Sequence, residues 1–120
     1  MDVKTGNAGR QGVKHLLDLL QAVGLSDLAQ VEVNQLPYGY QRLVEIARAL
    51  AMEAELFLLD EPTAGVFPNT RVKIMDVMRE LKNKSKTVLF IEHNMKVVTG
   101  ISDNIIVLNY WNEQTIPDAD

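Results

Sequence analysis

The sequence contains no cysteine, which excludes disulfide bonds and thiolate metal sites. It also lacks any apolar run near the ~20 residues that a membrane-spanning helix needs, so we expect a soluble chain. Glycine and proline are sparse, with seven and four residues, while hydrophobic residues make up 47% of the chain. A chain of 120 residues with this composition is long enough to form one domain with a buried core.

Basic residues are outnumbered by acidic ones, and the formal net charge of −4 argues against non-specific binding to nucleic acid. The opening residues, MDVKTGNAGRQG, lack the apolar segment of a secretory signal peptide. These features predict a cytoplasmic protein whose residues 1–12 form a flexible leader, since glycines are spaced through this polar segment.

Residues 13–52 contain two apolar patterns with steps of three and four residues, which are typical of amphipathic helices. Gly24 is expected to end the first helix, and the second follows the stretch VEVNQLPYGYQ. The predicted buried stripes are Val13, Leu16, Leu17, Leu20 and Val23 in the first helix, and Leu43, Ile46, Ala47, Leu50 and Ala51 in the second.

Three short apolar runs follow, at residues 56–59, 87–91 and 105–108. None alternates with polar residues, which predicts strands that are buried on both faces, as in parallel sheets. Helical patterns separate the runs. The order strand, helix, strand, helix, strand predicts an α/β fold with three short parallel strands and right-handed crossovers.

Asp60 and Glu61 stand side by side directly after the first apolar run. Ligands of open α/β sheets bind beyond the carboxyl ends of the strands. Adjacent side chains point in different directions. One carboxylate can therefore hold a hydrated Mg²⁺ ion while the other orients or deprotonates a water molecule. A purely structural alternative is that Asp60 caps the following turn and Glu61 is solvated.

His93 follows the second apolar run and is therefore expected at the same edge of the sheet. A neutral imidazole at this edge could donate a hydrogen bond to a phosphate oxygen. The alternative is that His93 caps the helix that starts near Asn94. His15 lies on the polar side of the first predicted helix, and we expect it to be a surface residue.

Three segments, LPYGYQRLVEIARALA, LFLLDEPTAG and TVLFIEHNM, occur in this order and resemble the motifs of ATP-binding-cassette (ABC) ATPases. They are most similar to the ATP-binding subunits of importers for branched-chain amino acids, and of the related urea importers. The resemblance covers residues 13–110 and corresponds to the C-terminal half of such a subunit. It implies a partial P-loop NTPase-like core at 53–110, a remnant of the helical subdomain at 13–52 and a tail at 111–120.

The resemblance implies a role for each matching residue, with ATP and Mg²⁺ as cofactors. Asp60 corresponds to the residue that holds Mg²⁺ through water, Glu61 to the catalytic base, and His93 to the residue that contacts the γ-phosphate. The signature loop, which caps the ATP of the opposite subunit in a dimer, is formed by Leu36, Pro37, Tyr38, Gly39 and Tyr40. Residues 63–68 correspond to the loop that crosses the dimer interface.

The sequence departs from the family pattern in ways that affect these expectations. The family's phosphate loop, G-x-x-x-x-G-K-[ST], does not occur in the 120 residues, so we expect little or no ATP hydrolysis by this chain alone. Pro37 replaces the signature serine, Tyr40 replaces its glutamine, and Phe67 replaces a polar residue of the interface loop. We expect Pro37 to start the following helix at its first position.

The phosphate-loop strand of the family lies between the strands that correspond to residues 87–91 and 105–108. Its absence from the sequence predicts one of three repairs, because unpaired strand edges are unfavourable. Either the two strands pair directly, or a segment is exchanged between chains, or a partner supplies the strand.

The function implied by the resemblance is that of a fragment of an importer's ATP-driving subunit, peripheral to the membrane through permease subunits. The solute, a branched-chain amino acid, rests on resemblance alone. The alternative is a non-catalytic interaction module that pairs with itself or with a full ABC ATPase. An ABC ATPase of DNA repair or chromosome maintenance is disfavoured by the net charge and by the importer-like signature.

Overall fold

The structure is a computed structural model, which describes the backbone of residues 7–109 and the side chains of residues 10–109. Within this range, four α-helices, two short 3-10 turns and two β-strands follow one another. In chain order they are α1 (Asn7–Ala22), the turns Ser26–Leu28 and Val33–Gln35, α2 (Tyr38–Leu50), β1 (Leu56–Asp60), α3 (Pro68–Asn83), β2 (Thr87–Ile91) and α4 (Met95–Ile101).

Strands β1 and β2 pair in parallel, so that Leu56 lies opposite Thr87 and Asp60 lies opposite Ile91. They form from the first two apolar runs, and α3 provides the connection between them. This arrangement confirms the predicted α/β fold class. Because the strands are parallel, both carboxyl ends meet at one rim of the sheet, where the candidate site lies.

The predicted third strand, at residues 105–108, does not form in the described part of the chain. Its four apolar side chains are between 49% and 90% exposed. A strand needs a neighbour for its backbone hydrogen bonds, and no strand within residues 7–109 occupies the place of the family's phosphate-loop strand. Of the three alternative repairs, direct pairing of this segment with β2 does not occur in the described residues, whereas the two that involve a second chain remain predictions.

The two faces of the sheet differ in cover, which corrects the expectation that both would be buried. On one face Phe57 is only 5% exposed, and its neighbours Leu59, Val88 and Phe90 pack against the core. The other face, which we call the open face, carries four apolar side chains that are 53–67% exposed: Leu56, Leu58, Leu89 and Ile91. No element among residues 7–109 buries these four side chains.

The hydrophobic core joins α2, α3 and the covered face of the sheet. Leu43, Ile46 and Ala47 are buried and confirm the centre of the predicted stripe in α2, whereas Ala51 is exposed beyond the end of the helix. Helix α3 contributes Ile74, which is completely buried. Burying an aliphatic side chain of this size contributes about 1.5–3 kcal/mol, so these helices supply much of the fold's stability.

Helix α1 begins at Asn7, earlier than the predicted start at Val13, so residues 7–12 are helical rather than part of a flexible leader. It ends at Ala22, and Gly24, with φ of 72°, acts as the predicted stop. The side chains of Val13, Leu16 and Leu17 are about half exposed, so most of the predicted stripe is not buried. Residues 1–6 and 110–120, which include the predicted tail, lie outside the described residues.

Candidate functional site

The chain turns sharply where β1 ends. Glu61 has a positive φ of 46°, a conformation that costs a non-glycine residue about 1–2 kcal/mol. Its N–H donates to the carbonyl of Ile91 at 2.8 Å, and its own carbonyl accepts from the N–H of Ala64 at 3.1 Å. The first bond extends the pairing with β2, and the second closes a tight turn whose second position, Pro62, suits the fixed φ of proline.

Glu61 and His93 meet at the rim formed by the two strand ends. Oε1 of Glu61 lies 2.5 Å from Nε2 of His93, although the two residues are separated by α3 and β2 in the chain. The His93 side chain is 83% exposed and that of Glu61 is 38% exposed. The site is therefore an open carboxylate–imidazole pair that a ligand can reach from solvent.

Asn94, rather than His93, caps the helix that follows β2. Its side-chain oxygen accepts from the N–H groups of Lys96 at 3.1 Å and Val97 at 3.3 Å, as expected of an N-cap. The alternative expectation, that His93 caps α4, is therefore wrong. The imidazole is left to contact Glu61.

Asp60 occupies the last position of β1, opposite Ile91, and is exposed. Its parity in the strand places it on the open face, with Leu56 and Leu58. Among the described residues its side chain makes no hydrogen bond or ion pair, so it does not cap the following turn. The carboxylate is available to solvent next to the Glu61 turn.

A second contact, which the sequence analysis missed, joins the same two loops. Thr63 is 3% exposed, and both its N–H, at 2.9 Å, and its hydroxyl, at 2.5 Å, donate to Oε1 of Glu92. Glu92 immediately precedes His93. The sequence does show a charged residue, Glu92, directly after an apolar strand and beside the predicted site. It does not show where the side chain of Glu92 points.

The signature loop packs against the start of α3. A Cβ on Gly39 would lie 2.9 Å from Cγ2 of Thr70, so glycine permits this close approach. The Tyr38 ring lies over Gly65, where a Cβ would be 3.2 Å from Cε1 of the ring. The loop at 36–40 and the loop at 63–68 therefore form one continuous surface.

The beginnings of α2 and α3 lie side by side on this surface, and neither has a side-chain cap. Pro37 occupies the N-cap position of α2 rather than the first helical position that we expected. Phe67 occupies the N-cap position of α3 and is 82% exposed. Free N–H groups at two adjacent helix starts create a positive potential that favours an anion.

Arg42 connects the signature loop with the Glu61 turn. Its Nη1 donates to Glu45 at 2.8 Å and its Nη2 donates to the carbonyl of Glu61 at 3.3 Å, while its guanidinium lies 5.7 Å from the centre of the Tyr38 ring. The hydrogen bond with Glu45 raises the pKa of Arg42 above its ordinary value, against a smaller opposing effect of burial. The guanidinium is thus a fixed positive charge behind the rim.

A cleft of about 300 Å³ lies between α2 and β1, beside the rim. Its lining includes Arg42 and Glu45 from α2, and Leu58, Asp60 and Pro62 from β1 and the following turn. In the described part of the chain, no three His, Asp or Glu side chains are grouped closely enough to hold a metal ion. A cation at Asp60 would therefore need water or ligand oxygens to complete its coordination.

The family profile described as ABC transporter matches residues 4–64, about half of the chain. With the parallel sheet and the motif residues at its rim, this match defines the class: the chain belongs to the ABC transporter family. None of the helices described here combines the length and apolar character needed to cross a membrane.

One close relative is the high-affinity branched-chain amino acid transport ATP-binding protein LivG of Escherichia coli, which is 43% identical over 91 residues. The match covers 75% of this chain and 36% of the relative. The chain therefore spans about a third of the length of the curated relatives it matches.

Two solved structures share the fold. An ATP-binding cassette of an ABC transporter in its ADP conformation has a TM-score of 0.67 at 36% identity, over 76% of this chain and 36% of that one. A bacterial ABC transporter cassette solved as a dimer has a TM-score of 0.68 at 32% identity, over 82% of this chain and 43% of that one.

Proposed function

We propose that this chain is part of the ATP-binding subunit of an ABC importer of the branched-chain amino acid type. The observation that carries the proposal is the contact of Glu61 with His93 at the ends of two parallel strands. The resemblance assigns these residues to catalysis, and the chain brings them together from positions 32 residues apart in the sequence.

Glu61 is suited to orient and deprotonate the attacking water. Its carboxylate is partly exposed and its backbone is fixed on both sides by hydrogen bonds. A positioned general base typically accelerates a reaction by about 10²–10⁴-fold. His93 lies beside Glu61 and would contact the terminal phosphate, as the resemblance implies.

Asp60 fits a magnesium ion held through water. It is a single exposed carboxylate without a protein partner in the described residues, and Mg²⁺ usually keeps several waters while it binds one or two carboxylates and substrate phosphates. When bound, the ion would neutralise charge that develops on the phosphates. Arg42 would add a second positive charge behind the Glu61 turn.

The signature loop is proposed to cap the ATP held by a partner subunit. Gly39 allows the backbone to approach a phosphate, and the starts of α2 and α3 favour an anion. The exposed rings of Tyr38 and Phe67 on the same surface are well placed for a protein interface. A relative with this fold was solved as a dimer.

In the intact system the subunit would bind membrane permease subunits and remain peripheral to the cytoplasmic face of the membrane. The importer type follows from the similarity to LivG. Under this proposal other subunits of the importer select the solute, as the resemblance implies.

A second candidate function is a non-catalytic interaction module. The open face favours it, because four apolar side chains that are more than half exposed lie beside a strand edge that is unpaired within residues 7–109, and such a surface promotes association. In this case the chain would pair with itself or with a full ABC ATPase, and the Glu61–His93 pair would have no catalytic task.

A chimera separates the two functions. The segment of E. coli LivG that matches this chain would be replaced by the residues of this chain, and ATP hydrolysis would be measured with purified protein. We expect hydrolysis by the chimera, and a fall in kcat of about 10²–10⁴-fold in Glu61→Gln. Glu80→Gln, at an exposed position of α3, is the matched control and should leave kcat unchanged.

The outcomes are distinct. If Glu61→Gln and Glu80→Gln have the same kcat, Glu61 is not the base. If the chimera folds and assembles but does not hydrolyse ATP, the interaction module is favoured over the ATPase.

A further inference from the structure

We propose that Glu92 is a positioning residue, which sets the geometry of the Glu61–His93 pair through its two hydrogen bonds with Thr63. The catalytic consequence of this role rests on the proposed function. Its geometric part stands on the contacts of the described residues alone. The two parts therefore need separate measurements.

The Glu61–His93 contact needs support from elsewhere in the structure. Its His93 side chain is 83% exposed, and contacts between exposed polar side chains hold them weakly because of side-chain entropy. In addition, Glu61 has a left-handed backbone conformation, which persists only where the surroundings impose it. A partly buried contact close to both residues can supply that constraint.

Glu92 provides such a contact. One of its carboxylate oxygens accepts both the N–H of Thr63, at 2.9 Å, and the hydroxyl of Thr63, at 2.5 Å. Thr63 is almost completely buried, so water does not compete for its two donors. Hydrogen bonds to an ionised acceptor are stronger than those between neutral groups.

The position of this contact in the chain explains how it acts on the pair. Thr63 is the third residue of the turn that begins at Glu61, and Glu92 directly precedes His93. The two hydrogen bonds therefore tie the residue two positions after Glu61 to the residue directly before His93. If they are removed, the turn and the end of β2 are joined at the rim mainly by the backbone bond from Glu61 to Ile91.

Three variants of the full 120-residue chain test the geometric part. Glu92→Ala removes the acceptor, whereas Glu92→Gln keeps a side-chain oxygen that can accept from both Thr63 donors. Thr63→Val removes only the hydroxyl donor, and it replaces Glu92→Ala as the test if that variant does not fold. Glu80→Ala, at an exposed position, is the control for loss of a glutamate.

Carbon-edited NMR of the two histidine rings provides the readout. His15 lies at an exposed position of α1 and is an internal reference. In the unchanged chain we expect NOEs between the His93 ring and the side chain of Glu61. Glu92→Ala should abolish these NOEs and shift the His93 ring signals without moving those of His15, Thr63→Val should weaken them, and Glu92→Gln should retain them.

Kinetics of the LivG chimera test the catalytic part. Glu92→Ala should lower kcat by about ten- to a hundred-fold with little change in KM, since a displacement of about 1 Å can cost this much. Glu92→Gln should restore most of the rate. A residue that only stabilises the fold would not give this division between kcat and KM.

The proposal is overturned if folded Glu92→Ala, or folded Thr63→Val where Glu92→Ala does not fold, keeps the His93–Glu61 NOEs of the unchanged chain. It is equally overturned if Glu92→Gln disturbs the His93 ring as much as Glu92→Ala does. An inactive chimera would count against the proposed function, while the NMR result on the chain would still decide the role of Glu92.

Discussion

The two faces of the small sheet share a backbone and a similar apolar composition, yet their environments differ. On the covered face, Phe57 is buried, and Leu59, Val88 and Phe90 pack against the core that α2 and α3 complete. On the open face, Leu58 and Leu89 lie opposite each other in the register and are both more than half exposed. The difference lies in the layers around the sheet rather than in the strands.

The described residues bury the covered face by themselves, whereas they leave the open face for another surface to cover. The covered face supplies the stability that holds the rim in place. The open face carries apolar side chains that contribute to stability only when another surface covers them. The relatives are almost three times as long as the matched segment, so in those proteins further chain is available to cover such a face.

The largest effect on the free energy of unfolding is expected for a substitution at Phe57, compared with one at its neighbour Leu58 on the other face. Phe57→Ala should lower the free energy of unfolding by about 3–5 kcal/mol, because it leaves a cavity in the core. Leu58→Ala should change it by no more than about 0.5 kcal/mol, as for an exposed position. Urea unfolding of both variants measures the contrast, and equal losses would show that the two faces are covered alike.

A smaller effect on stability, but a clear one on association, is expected at Leu89. Leu89→Thr keeps a good strand former and should change the free energy of unfolding by less than about 0.5 kcal/mol. It should weaken self-association, measured by sedimentation velocity, because it removes apolar area next to the edge of β2 that is unpaired among residues 7–109. Thr87→Ser, on the same face, is the control. If Leu89→Thr lowers the free energy of unfolding by about 2 kcal/mol or more, the chain itself covers this face.

The sequence predicted the parts of the fold that depend on local pattern. The apolar runs located β1 and β2, and the helical periodicity located α2 and α3. The third run, 105–108, is equally apolar but forms no strand in the described residues, because composition indicates what a segment can bury and not whether a neighbouring strand is present. The open face was mispredicted for the same reason.

Only part of the candidate site could likewise be predicted from the sequence. The proximity of Glu61 and His93 was foreseeable from topology, since both follow parallel strands and such ends share a rim. The contact of Glu92 with Thr63 was not, because a charged residue after a strand can point to solvent or inward. The positive φ of Glu61 likewise depends on bonds to Ile91 and Ala64 that no local pattern specifies.

The central claim is that the carboxylate of Glu61 and the imidazole of His93 form one site at the rim of the sheet. An NOE spectrum of the unchanged, isotopically labelled chain tests it most directly. The account predicts cross-peaks from the ring protons of His93 to the side-chain protons of Glu61, as expected when Nε2 and Oε1 are 2.5 Å apart. A folded chain with no such cross-peaks, and with the His93 ring close to other residues instead, would contradict it.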